Sequence, residues 1–453
     1  MTRFWWRRLA AVVVLVTAGC ETTGHPVAPS GSEPTSTPPA SPSGAPTAVA
    51  TESARSALSG ILRADVVRSS ESVSTAQLVG GLYAFGDGLL LHTPAASQNT
   101  VVSPLSIALA FSMARVGARD GTAAEIDRVF HFPTRMRDAA FNTLTRGMVT
   151  TSEPPAPASA TPSPDAPPPP PVVAIANALW LQQGTQVGRS FLTILAEQYG
   201  AGARTVDFHS PAAVDAINQW VREQTDDRIR KVFDRLDKAT KLVLANAIYL
   251  KASWITPFPS RATRNAAFTG PDGSIVQVPT MHLDDTFFYA AGPGWQAVQL
   301  PYASGNLAMW VLVPTTRSDP ARLLTPTTLR AVTASRRVYD VTLALPKWDF
   351  STDLDLRQVL RQMGLRQAFT AAADFSGIGP DFQISQAIHR ANIAVDENGT
   401  EAAAVTAIAM AAGAMASPPH AVVRADHPFA FAIVDTRNQA PLFMGTVTNP
   451  ATH

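Results

Sequence analysis

The sequence predicts an α+β domain preceded by a secreted, low-complexity leader, and three observations carry that prediction. Apparent strands and helices follow one another irregularly, without the strand–helix–strand repeat of a doubly wound sheet. Lys241–Trp254 (KLVLANAIYLKASW) is apolar at nearly every position, as in a strand covered on both faces. Val395–Met415 (VDENGTEAAAVTAIAMAAGAM) has almost no large side chain after Glu401, so it suits an exposed loop and a buried strand alike. Alone, so Ala-rich a run favours a helix, because Ala loses no side-chain entropy there. Extended, it sets Thr400, Ala402, Ala404, Thr406, Ile408 and Met410 on one uncharged face. Glu401, Ala403, Val405, Ala407, Ala409 and Ala411 share the other.

The elements in order begin with Met1–Gly19. Arg3, Arg7 and Arg8 form a basic start, Leu9–Val16 an apolar centre, and Thr17-Ala18-Gly19 a small-residue end. This is the plan of a secretory signal, and its apolar run is too short to span a bilayer. The only cysteine of the chain, Cys20, follows at once. The arrangement resembles a bacterial lipoprotein signal, which implies lipidation of Cys20 and a membrane anchor; an ordinary signal with an incidental cysteine is the alternative. A lone cysteine also excludes an intramolecular disulfide framework. Residues 20–70 are rich in Pro, Ser, Thr, Ala and Gly without apolar periodicity, the composition of a disordered tether. Residues 71–453 then form a single domain.

Within it, Ser74–His92 carries Leu78, Leu82, Phe85 and Leu89 at helical spacing. Ser103-Pro104 opens a second helix, with Pro where its missing N–H costs little. Asp120-Gly121-Thr122 breaks the chain and caps a third, Glu125 standing three residues after Thr122 as in a capping box. Residues 150–171, with five consecutive prolines, read as an exposed loop insertion. Val172–Leu181 is a strand, Ser190–Tyr199 a helix, Ala203–Phe208 a strand and Pro211–Arg230 an amphipathic helix. Phe268–Met281 contains a turn at Pro271-Asp272-Gly273 between strands. Val298–Pro314 and Tyr339–Phe350 are further strands, and Asp355–Phe369 is a helix ending near Gly364.

Several strings fit one family. SPLSIALAFSM with GTAAEI, AINQWV, LVLANAIYLKASW, DENGTEAA, HPFAFAI and PLFMGTVTNP together resemble the serpins from about Ser74 to Pro450. The resemblance implies several helices around a large central mixed β-sheet plus two smaller sheets, with an exposed reactive loop at 397–419. It implies a hinge at Glu397, Gly399, Thr400, Glu401, Ala402, Ala403 and Ala404. It also implies a polar shutter of Ser103, Ser106, Asn246 and His389 beneath the central strands. In the implied mechanism a protease cuts the loop, which then inserts as a new strand of the largest sheet. About fifteen residues at ~3.3 Å each carry the acylated enzyme some 50 Å. Distorting it spoils an oxyanion site sensitive to small displacements.

No enzyme is expected. There is no Gly-x-Ser-x-Gly elbow, His-Glu-x-x-His or phosphate-binding Gly loop, and the nine histidines are scattered, so neither metal nor cofactor is expected. The formal net charge of +1, without a dense basic patch, argues against nucleic acid. Counting from Glu397 puts the bait bond at Gly413–Ala414; counting back from Pro418 moves it to Ala414–Met415 or Met415–Ala416. These small and apolar residues suit elastase- or subtilisin-like serine proteases first and a chymotrypsin-like enzyme second. A monomeric inhibitor tethered on the extracytoplasmic face of a membrane is the expectation, and a non-inhibitory surface serpin the alternative.

Overall fold

The computed structural model describes residues 59–146, 148, 171–225, 227–237, 239–303, 306–401 and 418–452. The helices are α1 (Ala76–Leu91), α2 (Pro104–Gly117), α3 (Asp120–Val129), α4 (Arg137–Arg146), α5 (Arg189–Tyr199), α6 (Ala212–Gln224), α7 (Pro326–Ser335) and α8 (Leu356–Gln362). The strands begin with β1 (Ser59–Leu62), β2 (Thr100–Val102), β3 (Val172–Gln182), β4 (Ala203–Val206), β5 (Leu242–Ser253) and β6 (Arg264–Thr269). They continue with β7 (Ile275–Gly292), β8 (Trp295–Pro301), β9 (Leu307–Pro314), β10 (Arg337–Pro346) and β11 (Trp348–Asp355). The last are β12 (Ile384–Val395), β13 (Gly399–Thr400), β14 (His420–Arg424), β15 (Phe429–Asp435) and β16 (Pro441–Val447).

One sheet has seven strands in the order β1-β4-β3-β5-β13-β12-β11. The 18-residue strand β7 joins two smaller ladders into one run. On one side it pairs β10, and β10 pairs β14, while β6 pairs residues 275–280 on the side away from β10. On the other it pairs β8, which continues through β9, β15 and β16 to β2.

β5 is central because both of its faces are covered. Leu242, Leu244, Ile248 and Leu250 join the main core, which includes Ile107 and Phe111 of α2. Val243, Ala245 and Ala247 face the opposite way, into a second cluster under α6 with Ile217 and Trp220. Trp220 meets Trp180 of β3 edge-on at 5.9 Å between centroids. The period-2 alternation of a strand sorts one apolar run into two cores.

Four local expectations are corrected. Ser59 onward belongs to the fold, so the tether does not extend to residue 70. β1 pairs antiparallel with β4, and Arg68 donates to the Asn142 side-chain oxygen at 2.9 Å while Ser69 N donates to Glu197 O at 2.7 Å. The capping box at Thr122 does not form: α3 starts at Asp120, two residues earlier, with no side-chain cap. Thr122 Oγ1 instead accepts from Asp374 N, and Glu125 accepts from Arg366 N and Gln367 N, holding a distant loop. The helix expected to reach Arg230 ends at Gln224, where Thr225 Oγ1 takes the Ile229 amide at 3.1 Å and turns the chain across the sheet. The helix from Asp355 likewise ends at Gln362, and a short 3₁₀ turn, Gln367–Phe369, follows.

Candidate functional site

The site is the seam between β5 and β12. Over Leu242–Ile248 and Ile384–Ala391 the two strands pair directly and in parallel. Above that they part, and β13 lies between them: Gly399 pairs with Ser253, and Thr400 with Ala252 on one side and Val395 on the other. β12 and β13 form a hairpin closed by Asp396, whose carboxylate accepts from Asn398 N at 2.8 Å and Gly399 N at 3.2 Å. Gly399 has φ +153°, and a Cβ there would stand 2.1 Å from Ala252 O, so only glycine passes this close to β5.

Each hinge residue that the structure describes has a partner. Glu397 accepts from Lys347 Nζ at 2.8 Å and from Thr263 Oγ1 at 2.7 Å. Burial opposes its charge, but these bonds together outweigh burial and hold its pKa below the usual carboxylate value. Thr400 is fully buried, its hydroxyl 2.6 Å from that of Tyr302. Tyr302 stacks on Trp254, whose indole N–H donates to Asp396 O at 3.0 Å. Glu401 leaves the sheet with φ +51°, its amide donating to Ala394 O and its carboxylate 3.1 Å from Arg228 Nε. Ala402, Ala403 and Ala404, the bait residues Gly413, Ala414 and Met415, and Cys20 lie outside the described residues.

Below the hinge a buried polar cluster bridges the same seam. Ser103 caps α2 by accepting from Ser106 N at 3.1 Å, and its own amide donates to His389 Nε2 at 3.1 Å. His389 Nδ1 therefore carries the proton and donates to Asn246 Oδ1. The Asn246 amide donates to Ser106 Oγ at 2.7 Å and to Asn177 Oδ1. Desolvation pushes the His389 pKa down to about 3, and the Ser103 N–H facing Nε2 leaves no acceptor for a second proton. The structure thus brings Ser103, Ser106, Asn246 and His389 into one bonded set.

Asn177 belongs to that set and was missed in the sequence. Its signal is there: one amide inside VVAIANALWL, in register with Asn246. Lys347, Tyr302 and Trp254 were also missed, since each acts through a partner 50 or more residues away. Among the described residues no group of His, Cys, Asp and Glu is placed to hold a metal ion.

A sheet parted at one end and entered there by the chain's own C-terminal segment defines a class of protein in which a loop can serve as a strand. A family model described as Serpin (serine protease inhibitor) matches residues 84–450. An uncharacterised serpin-like protein of Thermococcus kodakarensis is 36% identical over 380 residues, 82% of this chain and 86% of its own. Neuroserpin of Homo sapiens is 31% identical over 381 residues, 80% of this chain and 88% of its own. The crystal structure of native tengpin, a thermophilic serpin, is alike in fold, with a TM-score of 0.75 at 23% identity over 86% of this chain and 100% of that one. The chain belongs to the serpin family, whose members are typically protease inhibitors rather than enzymes.

Proposed function

We propose that this chain inhibits extracellular serine-type proteases as a suicide substrate. The observation that carries the reading is β13: two hinge residues already stand as a strand between β5 and β12, antiparallel to β5 and aimed down the seam. A protease serine attacks the bait carbonyl, an acyl ester forms, and the amine of the C-terminal fragment leaves. The freed loop continues the strand that β13 begins. It replaces the direct β5–β12 pairing with two ladders, a net gain on the order of 10 kcal/mol at about 1 kcal/mol per added bond. The trap is a race between this insertion and hydrolysis of the ester.

The N-terminal reading extends the proposal. A signal at 1–19, lipid on Cys20 and a Pro/Ser/Thr-rich tether place a monomeric inhibitor on the extracytoplasmic face of a membrane. Gly413, Ala414 and Met415 suit an elastase-, subtilisin- or chymotrypsin-like target. The test mixes purified protein with one enzyme of each kind. A covalent complex that survives denaturing electrophoresis supports the reading, and mass spectrometry of the released C-terminal peptide locates the bond. Clean cleavage with full enzyme turnover in every case rejects it in favour of a non-inhibitory serpin.

A further inference from the structure

We propose that Glu401 and Arg228 form a stop that arrests the hinge after two inserted residues, and that the same pair clamps down the segment lying over the seam. The inference rests on the trapping function above. Glu401 is already aligned to continue the strand, since its amide donates to Ala394 O of β12 at 3.1 Å. Yet its backbone holds φ +51°, a conformation that a strand residue must leave. The side chain is what keeps it there. It is only 3% exposed, and its Oε2 lies 3.1 Å from Arg228 Nε.

The charges around it come from three directions. Arg228 approaches from the turn after α6, Tyr249 and Lys251 from β5, and Asp349 from β11. The Arg228 guanidinium also lies 5.9 Å from the centre of the Tyr249 ring. Arg228 in turn belongs to a segment fastened across the sheet. The buried Asn218 amide takes the Val232 and Phe233 N–H groups at 2.8 and 3.0 Å, and Arg390 of β12 donates to Lys231 O. Advancing the hinge by one residue therefore requires Glu401 to rotate into the β region and release Arg228. That release unfastens the upper end of the segment. Glu401 is a positioning residue: it touches no protease atom and sets how far the loop has entered before cleavage. Burial, opposed by Arg228 and Tyr249, raises its pKa. Acid thus removes the charge that holds Arg228.

The test is the rate at which uncut, full-length protein passes into a loop-incorporated form on mild heating. It is followed by loss of loop cleavage by an added protease and by resistance to urea. Arg228→Met, Glu401→Gln and the double variant are compared with wild type. Arg228 is half exposed and Gln is nearly isosteric with Glu, so both single variants are expected to fold. Each single variant should convert at least about tenfold faster, and the double variant no faster than the faster single one, since all three remove one contact. Wild type should also convert faster as pH falls through the raised Glu401 pKa, and Glu401→Gln should lack that response. Conversion at the wild-type rate in both single variants, or strictly additive effects, overturns the stop. Absence of covalent complexes with wild type in the protease panel overturns the trapping reading instead, so the two failures are distinguishable.

Discussion

His389 and Asn246 are register partners across the β5–β12 seam, and their side chains share a buried hydrogen bond. Parting the strands must break it. The bond also fixes the neutral imidazole, which predicts a pH dependence. The folded pKa of about 3 lies below the unfolded value near 6.5, so between them the unfolded chain binds the extra proton. Stability from this group is full above about pH 6.5 and falls by ~1.4 kcal/mol per pH unit as acid increases toward pH 3. Urea unfolding measured across that window should show the slope, and His389→Gln should lose it.

Glu397 gives the opposite kind of group, a carboxylate with a depressed pKa. Its contribution is present above the unfolded value near 4.5 and is lost as pH falls through the lower folded value. Lys347→Met removes its cation and leaves Thr263 as the remaining side-chain partner. We expect a loss of about 1–2 kcal/mol, discounted because Lys347 is 37% exposed. Faster nicking of the hinge by a non-target protease is the sensitive readout.

Gly399→Ala places a methyl group against Ala252 O at a backbone angle that L residues rarely adopt. The hairpin must then shift away from β5, at a cost of about 1–3 kcal/mol. A lower melting temperature in the uncut protein, with weakened hydrogen-exchange protection at Thr400 and Glu401, is the expected outcome.

Residues 59–70, a strap that pairs β1 with β4 and fastens Arg68 to Asn142, predict a sharp boundary. Deleting residues 1–58 should leave the melting temperature unchanged, whereas deleting 1–70 removes β1 and the Arg68 bond to Asn142. The longer deletion should destabilise the protein by several kcal/mol, because Arg68 leaves buried Asn142 and Thr145 short of partners. Thermal unfolding of the two truncations checks it.

What the sequence disclosed, and what it hid, follows the range of the interactions. β5 was legible because a strand covered on both faces is apolar throughout, and α2 because Ser103-Pro104 is a local start signal. The strap was hidden: its order comes from edge pairing and from Arg68 reaching residues more than 70 positions away, and neither leaves a periodic trace. Thr122 and Glu125 matched a local rule and were taken up by long-range partners at 366–374. At the site, the motifs drew Ser103, Ser106, Asn246 and His389 together, but Asn177 was passed over as one polar residue in an apolar strand.

The central claim is that the intact molecule is not at its free-energy minimum and that the segment after Thr400 completes the seven-stranded sheet. Melting temperature before and after a single cut in the loop tests it most directly. The account predicts a rise of more than about 10 °C on cutting, from two new ladders along β5 and β12. An unchanged or lower melting temperature, in protein shown to be fully cut and otherwise whole, would contradict it.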